Sequence, residues 1–331
     1  MREWLFSVFL SFREPLTTLV HPTKRVFFPF LVGAAVIAAI VWAVRLRGRV
    51  SLAAFLFPRR IWLHPSALLD YKLMFARAVI HAALLGPFVV SSLAVAVAIS
   101  SALGQAFGPG PAGGVSRATV AALFTLFAFL ADDLARYIVH LLAHRVPVLW
   151  ELHKVHHSAE VLTPFSVYRT HPIESVIMRG GAALCVGIVA GVFSWLFRGK
   201  VSGWSILGVE AISVIWNLAG SNLRHSHVWL SYGRVLEHIF ISPAQHQLHH
   251  SDNPRHYHTN CGSTLAIWDW IGGTLYVTRG REKIRFGLPP HQQNHDGNVV
   301  SALVAPIVAA VRAKGRASRR HADAADSCPA A

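Results

Sequence analysis

Histidines at ligand spacing carry most of the chemistry available to this sequence. Asp133, Tyr137, His140 and His144 follow one another at steps of four, three and four, so all lie on one stripe of a helix. Two triplets, His153, His156, His157 and then His246, His249, His250, repeat an i, i+3, i+4 pattern on a helical turn. A lone buried histidine is most often a hydrogen-bonded core residue, but eight imidazoles recurring in this way point to metal and are too many for one ion. Asp133 lies one or two turns behind the imidazoles. There it is placed to accept the outer N–H of a ligating ring or of a bridging water, so Asp133 and Tyr137 are the candidate catalytic residues.

Imidazole suits iron, zinc, copper and nickel alike. Cys185, Cys261 and Cys328 are scattered without a Cys-x-x-Cys pair, which argues against a disulfide framework, a zinc ribbon and an iron–sulfur cluster. The Glu-x-x-His repeats of a carboxylate-bridged site are missing too. Two histidine-held iron ions are therefore the expectation, with zinc as the substituted form.

The elements that must position these residues are apolar. Of 331 residues, 53% are hydrophobic and 14% charged, and the mean hydropathy of +0.43 is too high for an ordinary soluble globule. Apolar runs at Val26–Val44, Val79–Leu103, Ala118–Ala131, Gly180–Phe197 and Trp204–Gly220 predict an all-α, polytopic membrane helix bundle, the last two runs forming a tight hairpin across Arg198-Gly199-Lys200. Basic residues crowd 45–77, whereas the loop 104–117 carries only Arg117, so 45–77 is expected in the cytoplasm. That orientation puts 140–179 and everything after 221 on the same face, as a helical, histidine-rich metal-binding cap. The net charge of +15 is spread along loops beside apolar helices, which favours an anionic membrane surface over nucleic acid. Trp4–Phe12 reads as an amphipathic interfacial piece and not as a cleavable signal.

With these boxes in view, residues 120–278 resemble the fatty acid hydroxylase and sterol desaturase superfamily of membrane diiron enzymes. The resemblance rests on the Asp133–His144 stripe, the two His-x-x-His-His boxes, and Arg169-Thr170-His171-Pro172-Ile173-Glu174. It extends to Asn260-Cys261-Gly262 and to Trp268-Asp269 followed by Gly273-Thr274. Leu141, Cys261 and Gly272 depart from the usual Arg, Tyr and Phe. The family's His-[Ala/Ser]-Asn element falls at His225-Ser226-His227, which implies His225 as a ninth ligand and His227, in place of Asn, as a further ligand or a donor behind one. His171 and Glu174 read equally as caps of the helix starting at Pro172 or as support for the site.

The resemblance implies an oxidoreductase in which two iron ions, O2 and electrons act on an unactivated C–H bond of a bilayer lipid, giving an alcohol or an alkene. The chain contains no dinucleotide fingerprint, haem-attachment or iron–sulfur spacing, so an external ferredoxin or cytochrome-type donor with its reductase is implied. A metal transporter, or a histidine-rich metal-binding membrane protein without oxygenase activity, is the rival. Its ligands should lie near the membrane midplane, whereas these boxes begin where apolar runs end. A haem carrier needs only facing axial histidines. The expected division is an N-terminal membrane region 1–117 with two spans, a catalytic domain 118–280, and a C-terminal helix with a basic, disordered tail in 281–331, the tail starting at Arg312. His64, Ser66 and Asp70 read as a polar loop or a lid.

Overall fold

The computed structural model describes residues 17–85, 88, 90–111, 114–201 and 203–326; Trp4–Phe12 lies outside them. Among the described residues the protein is helical, with two isolated bridges and no strand. The α-helices of five or more residues among the described residues are α1 (Phe28–Arg45), α2 (Leu52–Leu56), α3 (Pro65–Ile80), α4 (Ser92–Phe107), α5 (Arg117–Arg145), α6 (Pro147–His157), α7 (Pro172–Leu196), α8 (Gly203–Leu218), α9 (Pro243–His249), α10 (Ile267–Ile271) and α11 (Val299–Asp326). A proline in the first turn starts α3, α6, α7 and α9, where its missing N–H costs nothing.

By length and composition α1, α5 and α7 can each cross a membrane. In α5 the apolar half and the histidine half form one 29-residue helix, about 44 Å long. The Asp132–Arg136 ion pair at 2.7 Å, one turn apart, lets the charged step stay helical. The run Val79–Leu103, expected as one span, is interrupted: α3 ends at Ile80, a π turn covers His81–Leu85, and α4 begins at Ser92.

The last two runs do not pair as a hairpin. α7 packs on α4 and α5, whereas α8 packs on α5 and α1, so the central α5 comes between them. Gly187 and Gly191 permit the close α7–α4 contact, since a Cβ at either would stand 2.6 Å from Val95 or Ile99. Val120, Phe124 and Ala128 of α5 meet Phe193 to fill the bundle at the end remote from the histidines.

At the histidine end, Leu69 and Leu73 of α3, Val155 of α6 and Ala302 of α11 form a second core. His64 caps α3, its Nδ1 accepting from Ser66 N at 3.2 Å, and Asp70 is fully buried against Arg169. The residues read as loop or lid thus tie α3 to the cap. α11 continues through Asp326, past Arg312 where composition predicts disorder. Its apolar positions at the start pack on α6, which carries the first triplet.

Candidate metal centre

Each histidine box occupies the element its spacing predicts. α5 presents His140 and His144, α6 presents His153, His156 and His157, and α9 with its C-cap presents His246, His249 and His250. A short 3-10 turn, Ser221–His225, delivers His225. A capping box of Ser242 and Gln245 starts α9, and Gln247 Nε2 donates to the carbonyls of Leu223 and Val228, locking the His225 segment against the third box.

The imidazoles converge in two buried groups: His140, His144, His153, His157 and His249, and His156, His225, His246 and His250. Within each group the candidate ligand atoms lie within 4.8 Å of one another. In the first, His153 Nε2 stands 3.1 Å from His140 Nε2, 3.2 Å from His144 Nε2 and 3.1 Å from His157 Nε2. In the second, His246 Nε2 stands 3.1 Å from His225 Nε2. Metal–imidazole bonds of about 2.0–2.1 Å at right angles would put neighbouring nitrogens about 3 Å apart, so these separations match neighbouring ligands on one ion.

Outer hydrogen bonds orient three of the rings. His153 Nδ1 lies 2.6 Å from Glu174 Oε1, His140 Nδ1 lies 2.7 Å from the Cys261 carbonyl, and His249 Nδ1 lies 2.7 Å from the Thr259 carbonyl. Each acceptor takes the Nδ1–H and leaves a bare Nε2 lone pair aimed at the same point. Lone pairs cannot hydrogen-bond to one another, so a shared cation is what this arrangement accommodates. Both nitrogens of His250 and the Nδ1 atoms of His156 and His246 are buried with no hydrogen-bond partner. The donor set, all imidazole and without thiolate, fits iron and also fits zinc.

Asp133 has a different task from the one its stripe suggests. Its carboxylate accepts from Thr264 N at 2.8 Å, Leu265 N at 2.9 Å and Trp268 Nε1 at 3.0 Å, and so clamps the segment after the third box instead of a ligating ring. Asp269 takes the amides of Cys261 and Gly262 at 2.7 Å each, fixing the loop whose carbonyl orients His140. The Tyr137 hydroxyl lies 3.2 Å from Thr274 Oγ1, in the loop that Asp269 also holds. His227 joins neither group, because its Nε2 is taken by the Phe55 carbonyl at 2.7 Å. Of the pair at the start of α7, His171 caps the helix and contacts the Leu303 carbonyl, whereas Glu174 orients His153. Glu174 was open to either reading; the Asp269 clamp and the carbonyls of Cys261 and Thr259 carry no signal in spacing.

Asp133→Asn should therefore act through the clamp. The amide NH2 would face donors at Leu265 or Trp268, and one unsatisfied buried group costs about 1–3 kcal/mol. Thermal melts should show that loss together with weaker iron retention; an unchanged melt with altered turnover would return Asp133 to the chemistry.

Burial holds the imidazoles neutral, ready to bind metal. It pushes His153 and His156 down to about 3, and burial and the neighbouring rings hold His157, His225, His246, His249 and His250 well below the usual range. Unfolded histidine titrates near pH 6.5, so between about pH 6.5 and 3 the unfolded metal-free chain binds protons that the folded one refuses. Its stability should fall with pH across that window, by up to roughly 1.4 kcal/mol per unit for each such residue. Melting the chelated protein at pH 7 and pH 5 checks this; equal midpoints would contradict it.

A cavity of about 180 Å³ opens onto the larger group, lined by His144, Trp150, His157, His249, Tyr257 and His258 among others.

A family model described as fatty acid hydroxylase matches residues 125–274. Alkylglycerol monooxygenase of Xenopus tropicalis is 30% identical over 48% of this chain and 32% of its own length. Ornithine lipid hydroxylase OlsE of Rhizobium tropici is 30% identical over 54% of this chain and 48% of its own. A Delta(7)-sterol 5(6)-desaturase of Eremothecium gossypii is 28% identical over 46% and 37% respectively. The chain thus spans about a third to a half of the length of these relatives. No solved structure matches it.

Proposed function

We propose, from the premise that residues 125–274 form a domain of the fatty acid hydroxylase family, that this membrane protein is a diiron oxygenase that hydroxylates or desaturates a lipid. The observation that carries the reading is the convergence of nine buried imidazoles in groups of five and four, three of the rings in the larger group, those of His153, His140 and His249, being oriented by Glu174 and the Cys261 and Thr259 carbonyls.

Those nine residues would hold two iron ions, which when bound supply the activation of O2 and the oxidising power to break an unactivated C–H bond. The protein's part is positioning. Outer acceptors stop His140, His153 and His249 from rotating, and burial keeps bulk water from the ligand atoms. The apolar bundle offers a lipid a route to the histidine end. Electrons come from outside, from a ferredoxin or cytochrome-type donor with its reductase, and the basic surface suits an acidic carrier. In this reading 118–280 is the catalytic domain, 1–117 the N-terminal membrane region and 281–331 a C-terminal extension, and the metal centre faces the cytoplasm because 45–77 is strongly basic. The named relatives act on different lipids, and the reading commits only to lipid.

Purified protein given iron, labelled O2 and a lipid extract should be silent until reductant and carrier are added. One lipid class should then gain a labelled oxygen atom or lose a pair of hydrogens. Label arriving from water would indicate a hydrolase with zinc in the same cage, and turnover without O2 would reject the assignment.

A further inference from the structure

α1 qualifies as a span by its 18 apolar residues, yet both of its ends meet the metal-bearing end of the molecule. At its start the Arg25 carbonyl accepts from Asn222 Nδ2 at 2.8 Å. At its end Arg45 Nη1 donates to the Trp229 carbonyl at 3.3 Å. Between them, Ala34 and Ala38 pack on Leu223 and Val228. Gly33 abuts the last residue of α8, where a Cβ would stand 2.6 Å from the Leu218 carbonyl. All of these partners fall within 218–230, the stretch that carries His225. α1 is about 27 Å long. A helix of that length along the membrane normal would bring one end beside Val120 and Phe193, at the remote end of the bundle. Its main contacts are instead with α2, α8 and the His225 turn.

The face of α1 turned from the protein is a stripe of Phe28, Val32, Val36, Ile40 and Val44, each between 43% and 78% exposed. Water cannot be the medium for that stripe. Lys24 and Arg25 precede the helix, and Arg45, Arg47 and Arg49 close it, so both ends carry the charge that anionic headgroups attract. Beside its start a cavity of about 170 Å³ is lined by Lys24, Arg25, Arg77, His81 and Arg179, with no carboxylate among its described lining residues. The buried Arg25 Nε has no hydrogen-bond partner there.

We propose that α1 does not cross the membrane but lies in its plane, along the polar–apolar boundary of the leaflet bordering the metal centre, with the Phe28–Val44 stripe in the acyl region and the basic ends under headgroups. The chain then crosses through the interrupted 81–107 stretch, α5, α7 and α8, and everything before residue 81 shares one side with the metal centre. α1 also becomes a lipid-facing floor under the turn that holds His225. The placement rests on contacts alone and stands whether or not the chain is an oxygenase.

Single cysteines introduced as Thr23→Cys, Arg47→Cys and Arg145→Cys, with the parent chain as background, can be labelled with an impermeant maleimide from each face of the native membrane. All three should react from the same face; Thr23→Cys and Arg47→Cys reacting from opposite faces would overturn the proposal. Spin labels at Val32, Val36 and Ile40 provide a second readout independent of orientation. They should report equal, shallow depths, whereas a label at Val36 near the bilayer centre would restore the span.

Discussion

His250→Ala should leave the chain folded but with roughly half or less of the parent's iron and no measurable turnover, a larger loss than the roughly 10–100-fold expected when only an outer partner of a ligand is removed. His250 is 2% exposed, and neither ring nitrogen has a hydrogen-bond partner, an expensive state for a core residue with no further duty. Its ring stacks against His157 with centroids 4.6 Å apart, across the boundary between the two groups. The contrast is His227→Ala: that ring spends its Nε2 on the Phe55 carbonyl, so its loss should cost stability and spare iron. Iron per chain and turnover, measured together on both variants, decide the matter. Full iron in His250→Ala would mean the cage is drawn wrongly.

Arg169→Met should destabilise the protein by about 3–5 kcal/mol, because it strands a carboxylate in the interior. Asp70, fully buried, receives Arg169 Nη1 at 2.9 Å and the Ser166 hydroxyl at 2.6 Å. Arg169 also donates to the Val155 carbonyl at 3.1 Å and the Ser158 carbonyl at 3.3 Å, at the end of the helix that carries His156 and His157. One guanidinium therefore joins α3 to the first triplet. Burial already pushes the Asp70 carboxyl up, against the pull of Arg169. Without that pull its folded pKa rises further above the unfolded value, so the penalty is full above the folded pKa and shrinks as pH falls through it. Pairing Arg169→Met with Asp70→Leu should recover much of the stability, since a matched apolar replacement of a buried ion pair is often neutral. Melts of the iron-loaded single and double variants measure the coupling; a double variant no better than Arg169→Met would show that Arg169 acts through its bonds to Ser66 and to the end of α6 and not through Asp70.

What the sequence by itself determined is the part of the site written in short-range periodicity. Steps of three and four place side chains on one helical face whatever the surroundings, so the eight box histidines could be named as candidate ligands before any contact was known, and His225 by resemblance. The all-α class followed from the length of the apolar runs for the same reason. Tertiary structure decided which histidines share a group, since His249 joins His140 while its neighbour His250 joins His225. It also decided the duties of Asp133 and Glu174. Asp133 lies on the ligand stripe yet meets Thr264, more than a hundred residues away, while Glu174, with no box of its own, meets His153. A stripe states which direction a side chain leaves its helix, but not which distant backbone arrives there. Hydropathy has the same limit for α1, because length and apolarity measure a helix's preference for lipid, and only its contacts with Asn222 and Trp229 tell how it is inclined to the bundle.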